Sequence, residues 1–331
     1  MADNNTQVAV IGAGPGGYAA AFLAADMGMA VTLIDPAENP GGVCLYRGCI
    51  PSKALLHVAR LIHEAADANA WGVSFGKPKI DINRMRAWKS DIINGLTGGL
   101  GRLVTQRKIT HVRATAQFKD DHTLSLTDSE GKIGTLGFDH AILATGSRAV
   151  DIPMFPADSD RIWDSKKALD LKAVPKTLLV VGGGYIGLEL GSVYAALGAD
   201  VTVVEMLPHL LAGADRDLVR FLAKTLKDRF KAILLDTTVE AAKVQKNGVK
   251  VTFRKQDEKP QTQLFQQVLV AVGRRPGSAG LGLERAGVAV DEDGFVTIDA
   301  QCRTAAPRIF AIGDVAGQPM LAHKASYEAR I

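Results

Sequence analysis

The sequence predicts an α/β protein built from two copies of one strand, glycine turn, helix, strand device, interleaved along the chain, and three observations carry that prediction. First, the apolar run Val8 to Ile11 meets Gly12-Ala13-Gly14-Pro15-Gly16-Gly17. An alanine-rich helical stretch then reaches Met27, and a second apolar run, Ala30 to Ile34, ends at Asp35. Second, the same succession recurs in Leu178 to Val181, then Gly182, Gly184 and Gly187, a helical stretch to Leu197, and Val201 to Val204 ending at Glu205. Third, Gly12 to Asp35 and Gly182 to Glu205 are both separations of 23 residues. A lone glycine pattern of this kind often serves only a turn, whereas two copies in the same register point to two sites of one type.

The remaining elements follow from period and punctuation. Helices are expected at Ala54 to Ala68 and Asp81 to Leu103, then strands around His111 to Phe118, Thr123 to Leu126 and His140 to Leu143. After the second copy, Asp215 to Arg229 reads as a helix, and Thr238 to Val244, Val249 to Arg254 and Leu264 to Val270 as strands. From about Pro276 the chain returns to the first lobe, through Arg308 to Gly313 and Asp314. The expected division is therefore 1–150 for the first segment of the first domain, 151–276 for the second domain and 277–331 for the return segment.

Composition excludes several classes. Hydrophobic residues at 47% and charged residues at 22% are ordinary globular proportions, which argues against disorder. A net charge of +4, with cations and acids interspersed, gives nucleic-acid binding little support. No apolar run approaches the roughly 20 residues that span a bilayer, and Met1 to Gln7 lacks the basic region of an export signal. A cytoplasmic, soluble protein is the expectation. Three cysteines are too few for a disulfide scaffold, so a pair among them points to redox chemistry.

Each glycine turn has a physical purpose. One glycine permits the tight turn, one lets a pyrophosphate approach the backbone, and one lets helix and strand pack closely. The helix N-terminus then offers free N–H groups and the positive end of its dipole to phosphates. Asp35 and Glu205 stand where a carboxylate accepts hydrogen bonds from a ribose diol. Two such sites suggest two dinucleotides and electron transfer between them. A carboxylate at Glu205 repels a 2′-phosphate, and Met206, Leu207 and Pro208 supply no arginine, so NAD is expected rather than NADP.

The segment Gly41 to Lys53, GGVCLYRGCIPSK, carries two cysteines. Pro51 suits the first position of a helix, which would place Cys49 at its N-terminus. There the dipole and the cation of Lys53 favour thiolate, making Cys49 the more acidic sulfur. Two buried structural thiols are one alternative reading, and zinc ligation another, although no further Cys or His cluster offers the remaining ligands. The neighbouring glycines, Pro51 and Lys53 favour redox chemistry. Cys302 stands alone and reads as structural, and no metal site is expected.

At this point the motifs support a resemblance. GGVCLYRGCIPSKALLH, VIGAGPGGY at 10 to 18, LTGGL at 96 to 100, ATGSR at 144 to 148, VVGGGYIGLE at 180 to 189, VAVGRRP at 270 to 276 and IFAIGDVAGQPMLAHKA at 309 to 325 occur in one order. Together they resemble the pyridine nucleotide-disulfide oxidoreductases, and within them the dihydrolipoamide dehydrogenases. That resemblance implies two interleaved Rossmann-like dinucleotide-binding domains, one for FAD and one for NAD. It implies that Gly12, Gly14, Gly17, Asp35, Gly42, Ala116, Thr145, Gly146, Asp314 and Ala322 surround FAD, with Asp35 on the adenosine ribose and Asp314 on the ribityl chain. Gly182, Gly184, Tyr185, Ile186, Gly187, Glu205, Val239 and Gly273 would line the NAD site. Cys44 and Cys49 would form the active disulfide, and Lys53, beside the flavin, would pair with Glu189. A dihydrolipoyl dithiol would attack Cys44, and electrons would pass from Cys49 through FAD to NAD+. The implied partner is the lipoyl domain of a 2-oxoacid dehydrogenase complex or the H protein of glycine cleavage. Mercuric reductase, or a non-catalytic flavin-binding subunit, is the competing reading.

Three departures from the family pattern qualify these expectations. Tyr46 and Arg47 replace the common Asn-Val and are expected to face the dithiol entrance, and Asp35 replaces the commoner glutamate. Family members also continue into an interface domain of roughly 100 residues that supplies the homodimer contact and a histidine base. His323, in the LAHK motif, does not match that base. The expectation for the sequence as it stands is therefore NADH-driven flavin reduction, poor lipoamide turnover and an exposed apolar face.

Overall fold

Uninterrupted valine, isoleucine and leucine runs bury both faces of a strand, and parallel sheets are where such strands belong. In the computed structural model, which describes residues 5–331, Asn5–Ile11 runs through the middle of a seven-stranded sheet. Val31–Ile34 and Ile133–Leu143 flank it in parallel, and Thr110–Val112 extends the sheet past Val31–Ile34. Ile133–Leu143 serves two partners on its other edge. Its first half pairs antiparallel with Thr123–Asp128, and its last residues receive the return strand Ile309–Ala311 in parallel. Ala114–Phe118 completes a three-stranded meander. Ile34, Phe118, Leu124, Leu143 and Ile309 form the core beneath it, each such side chain contributing about 1.5–3 kcal/mol of burial.

The second unit repeats the plan. Thr177–Val181 is central, Asp200–Val204 and Gln267–Val270 are its parallel neighbours, and Ala232–Leu234 and Ile162–Trp163 form the edges. A meander of Thr237–Gln245, Gly248–Lys255 and Gln261–Phe265 accompanies it. The expected single strand Leu264 to Val270 is thus two strands, and Gln266 is the reason. Its N–H donates to Thr177 Oγ1, its carbonyl accepts from Arg161, and its side-chain oxygen accepts from the Lys176 N–H. Anchored at three points, the chain turns there from meander into parallel sheet.

The compact units are Met1–Tyr46, Ile93–Arg148 and Arg274–Ile331 on one side, and Arg47–Ile92 and Ala149–Gly273 on the other. The chain returns to the first unit at Arg274, so the two units interleave along the sequence. The continuous segment expected over 1–150 is corrected, because residues 47–92 pack with the second unit. Helix Cys49–Asp67 is amphipathic, and it buries Leu55 in the cluster of Trp163, Leu188 and Tyr194, with Leu56 and Met85 packed alongside. Among the described residues no helix is long and apolar enough to cross a membrane.

Two histidines make stability depend on pH. Burial pushes His63 in helix Cys49–Asp67 below its ordinary value, with Arg229 adding to the effect; burial likewise lowers His111 in Thr110–Val112, against the opposing pull of Asp35. Below about pH 6.5 the unfolded chain binds protons that these folded histidines refuse. Their contribution is present above pH 6.5 and is lost as pH falls through the depressed folded values. Exposed His122, raised by Asp121, works in the opposite sense. Urea denaturation at pH 5.5 and 7.5 should show a lower midpoint at pH 5.5, and the variant carrying His63→Leu and His111→Val should narrow that difference. An unchanged difference in the variant would remove these two groups as its cause.

Candidate active site

The two glycine turns are the same object built twice. Gly12 N–H donates to Ile34 O, and Gly182 N–H to Val204 O; Ala144 N–H donates to Ile11 O, and Ala271 N–H to Val181 O. Gly12 and Gly182 hold φ of +97° and +107°, each against a carbonyl, so that a Cβ would stand 2.4 Å from Ala144 O or 2.5 Å from Ala271 O. The helices Pro15–Asp26 and Tyr185–Ala196 follow, each capped by a glycine without a side-chain hydrogen bond, which leaves the first-turn amides open. The carboxylates share one arrangement. Asp35 accepts from Ala13 N–H at 2.8 Å and Ala37 N–H at 2.9 Å, and Glu205 from Gly183 N–H at 2.6 Å and Leu207 N–H at 2.8 Å. Each acid therefore braces its own glycine turn and retains lone pairs for a further donor.

Gly42 belongs with the first turn. At φ +56° its Cα lies so near Gly14 that a Cβ would come within 2.5 Å of Gly14 Cα, and the preceding Gly41 N–H donates to Ala13 O at 2.8 Å. Gly42 also opens a short helix, Gly42–Arg47, that sequence periodicity did not reveal; Cys44 lies within it. Gly48 separates it from Cys49–Asp67, so Cys49 is the first helical residue and Pro51 the third, where Pro51 was expected to be first. A proline fits there equally well, because that N–H also lacks an intrahelical partner. Both cysteines are half-buried, whereas Cys302 is buried in an apolar cluster, its thiol pushed up by burial.

The remaining site residues divide between the units. In the first, Asp314 sits in the turn Gly313–Val315 and accepts a hydrogen bond from Ser147 Oγ. Arg274 holds that serine, its Nε on Ser147 Oγ and its Nη2 on Ser147 O, both at 2.7 Å. The sequence reading missed Ser147 and Arg274, although both lie in the ATGSR and GRRP motifs. Thr145 Oγ1 is buried without a hydrogen-bond partner, beside Gly146. Ala116 buries its methyl in the core, so only its main chain is open to a ligand. Ala322 begins the helix Ala322–Glu328. In the second unit, Lys53 Nζ meets Glu189 Oε1 at 2.7 Å and Oε2 at 3.0 Å, as expected. Val239 packs with Val204 behind Glu205, Tyr185 is exposed and Ile186 half-buried at the helix start, and Gly273 O accepts from Val150 N–H. Arg216 is committed to the carbonyls of Leu210, Leu211 and Ala214 and adds no cation for a 2′-phosphate. Tyr46 departs from expectation. Its hydroxyl donates to Asn39 O at 2.9 Å, within the loop that follows Asp35, because a ring of that length in a short helix reaches back to the chain entering it.

Two phosphate turns in a common register, with a cysteine pair following directly on the first, define a flavin-dependent disulfide oxidoreductase. Residues 6–329 match the family model of the pyridine nucleotide-disulphide oxidoreductases, and the chain belongs to that family. It is 46% identical over 325 residues to a dihydrolipoyl dehydrogenase of Vibrio cholerae, covering 98% of this chain and 68% of that protein. The dihydrolipoyl dehydrogenase of Haemophilus influenzae is 47% identical over 326 residues with the same coverage. Among solved structures, LpdA of Mycobacterium tuberculosis superposes with a TM-score of 0.89 at 27% identity, over 98% of this chain and 71% of that one. The Cu(II) complex of the HOCl-induced flavoprotein disulfide reductase RclA of Escherichia coli gives 0.86 at 29% identity, over 99% and 70%.

FAD and NAD(H) are the cofactors of this enzyme class, and the residues fit them. Open helix N-termini suit pyrophosphates, and the orphaned Thr145 Oγ1 is a buried hydroxyl that a ligand would satisfy. Asp35 and Glu205 offer acceptors to ribose hydroxyls.

Proposed function

We propose that the chain acts as a dihydrolipoyl dehydrogenase, oxidising a dihydrolipoyl dithiol at Cys44 and Cys49 and passing the electron pair to NAD+. The observation that carries this reading is the contact of Gly42 with Gly14, which starts the Cys44 helix on the first phosphate turn. The 46% identity with a dihydrolipoyl dehydrogenase supports it. In this reading the first turn holds FAD, the second holds NAD, and the partner is a lipoyl domain of a 2-oxoacid dehydrogenase complex or the glycine-cleavage H protein.

A substrate thiolate attacks Cys44, breaking the Cys44–Cys49 disulfide and forming a mixed disulfide with Cys44. Cys49 leaves as the thiolate, favoured by the helix N-terminus and by Lys53 one turn on. The second substrate thiol then displaces Cys44, so the substrate departs as a disulfide and both electrons stay on the cysteine pair. FAD bound at the first turn would supply the two-electron redox chemistry between that pair and the nicotinamide. Across the cycle one dithiol and one NAD+ become one disulfide, one NADH and one proton. Glu189 holds the Lys53 ammonium in an ion pair at 2.7 Å.

Anaerobic incubation of the FAD-loaded chain with dihydrolipoamide and NAD+ should form NADH in proportion to dithiol consumed. An equilibrium endpoint makes the result independent of turnover rate. Absence of NADH, together with nicotinamide oxidation driven by mercuric ion, would replace this reading with a mercuric reductase.

A further inference from the structure

Tyr46 and the LTGGL segment have no part in the chemistry above, and the structure joins them. Residues 36–41 lead from Asp35 to the Cys44 helix, and four contacts hold them. Gly41 N–H donates to Ala13 O, tying the loop to the first glycine turn. Asn39 lies flush on Gly101, just past LTGGL in helix Ile82–Gln106, where a Cβ would stand 2.0 Å from Asn39 Oδ1. Gly41 is wedged between Thr97 of the same helix and the ring of Tyr46; a Cβ there would stand 3.1 Å from Thr97 Cγ2 and 3.2 Å from Tyr46 Cε2. Tyr46, two residues beyond Cys44, then returns its hydroxyl to Asn39 O at 2.9 Å. Loop and helix close a ring from Asn39 to Tyr46 that carries Cys44.

A helix of six residues cannot hold its own position, since isolated helices shorter than about 12 residues are marginal. Its placement must come from its tethers. We infer that Tyr46 is a positioning residue: its hydroxyl, seated through Asn39 in the notch at Gly101, fixes Cys44 to the first glycine turn, so that occupancy of that turn and the reactivity of Cys44 are coupled. The inference rests on the reading of Cys44 as the interchange thiol and of the first turn as the FAD site. Coupling between sites acts in both directions, so modification of Cys44 should in turn lower FAD affinity.

The test is iodoacetamide labelling of the dithiothreitol-reduced chain with and without FAD, with Cys44 and Cys302 followed by peptide mass spectrometry. FAD should slow Cys44 labelling in the wild type, and Tyr46→Phe should shrink that FAD effect about fivefold, the scale of one hydrogen bond. Tyr46→Phe keeps its ring against Gly41, and continued silence of the buried Cys302 reports an intact fold. Gly101→Ala, which would ordinarily strengthen a helix, should instead act in the same direction as Tyr46→Phe by displacing Asn39. FAD affinity, measured by flavin fluorescence, should also fall in Tyr46→Phe. Equal FAD effects in the wild type and both variants overturn the inference. The redox reading fails separately, through NADH leaving the Cys44 and Cys49 thiol titre of the FAD-loaded wild type unchanged.

Discussion

Gly17→Ala is expected to yield a colourless chain, and Gly187→Ala a yellow one that NADH no longer reduces. A Cβ on Gly17 would lie 1.8 Å from Gly12 O, and one on Gly187 would lie 2.3 Å from Gly182 O and 2.9 Å from Val180 Cγ1. Neither position can yield by turning a side chain, because the obstructing atom is the backbone carbonyl of the phosphate turn itself. Relief requires moving that turn, which is trapped from the other side against Ala144 O or Ala271 O. Overpacking of this type costs about 1–3 kcal/mol or more, and near 3 kcal/mol it becomes an affinity loss of roughly 150-fold. The two turns lie in different compact units, so each variant should strike one dinucleotide and spare the other. Flavin absorbance per chain after desalting, followed by the rate of NADH-driven bleaching, reads both effects. A Gly17→Ala chain that retained full flavin would remove FAD from the first turn.

The duplicated core of this fold is legible in the sequence because its signals are strong and local. Apolar runs bounded by glycine mark the central strands, and the constant spacing from Gly12 to Asp35 and from Gly182 to Glu205 returns in three dimensions as matching hydrogen bonds. What stays illegible depends on contacts between residues distant in sequence. Periodicity shows that helix Cys49–Asp67 has an apolar face, but not that Leu55 would enter the cluster of Trp163 and Tyr194 and carry residues 47–92 into the second unit. The helix Gly42–Arg47 is too short to display a period. Gln266 carries no turn signal of its own, since its three anchors come from Arg161, Lys176 and Thr177. Among site residues, the Lys53 and Glu189 pair was readable through resemblance alone, and the contact is made across 136 residues. Ser147 and Arg274 lie within the ATGSR and GRRP motifs, but a serine that holds an aspartate is recognisable only through its hydrogen bond.

Cys49→Ser should abolish NADH formation from dihydrolipoamide while sparing NADH-driven dye reduction, and the contrast separates the sulfur chemistry from the nicotinamide chemistry. Removing one member of a reacting unit commonly costs about 10^3-fold or more, because the remaining groups cannot substitute for it. Dye reduction draws on the two dinucleotide sites and makes no use of thiol exchange. In the proposed reading Cys49, which opens its helix with Lys53 four residues on, is favoured as thiolate by the helix dipole and by that cation. Glu189 offsets part of that cation across 2.7 Å. Glu189→Gln should therefore shift Cys49 further towards thiolate and bring its alkylation to lower pH, whereas Lys53→Met should move the alkylation profile to higher pH. The effect on each side is moderated by solvent, since the Lys53 side chain is 59% exposed. Opposite displacements of the Cys49 profile in these two variants are the expected result, and displacements in the same direction would detach Lys53 from the thiolate altogether.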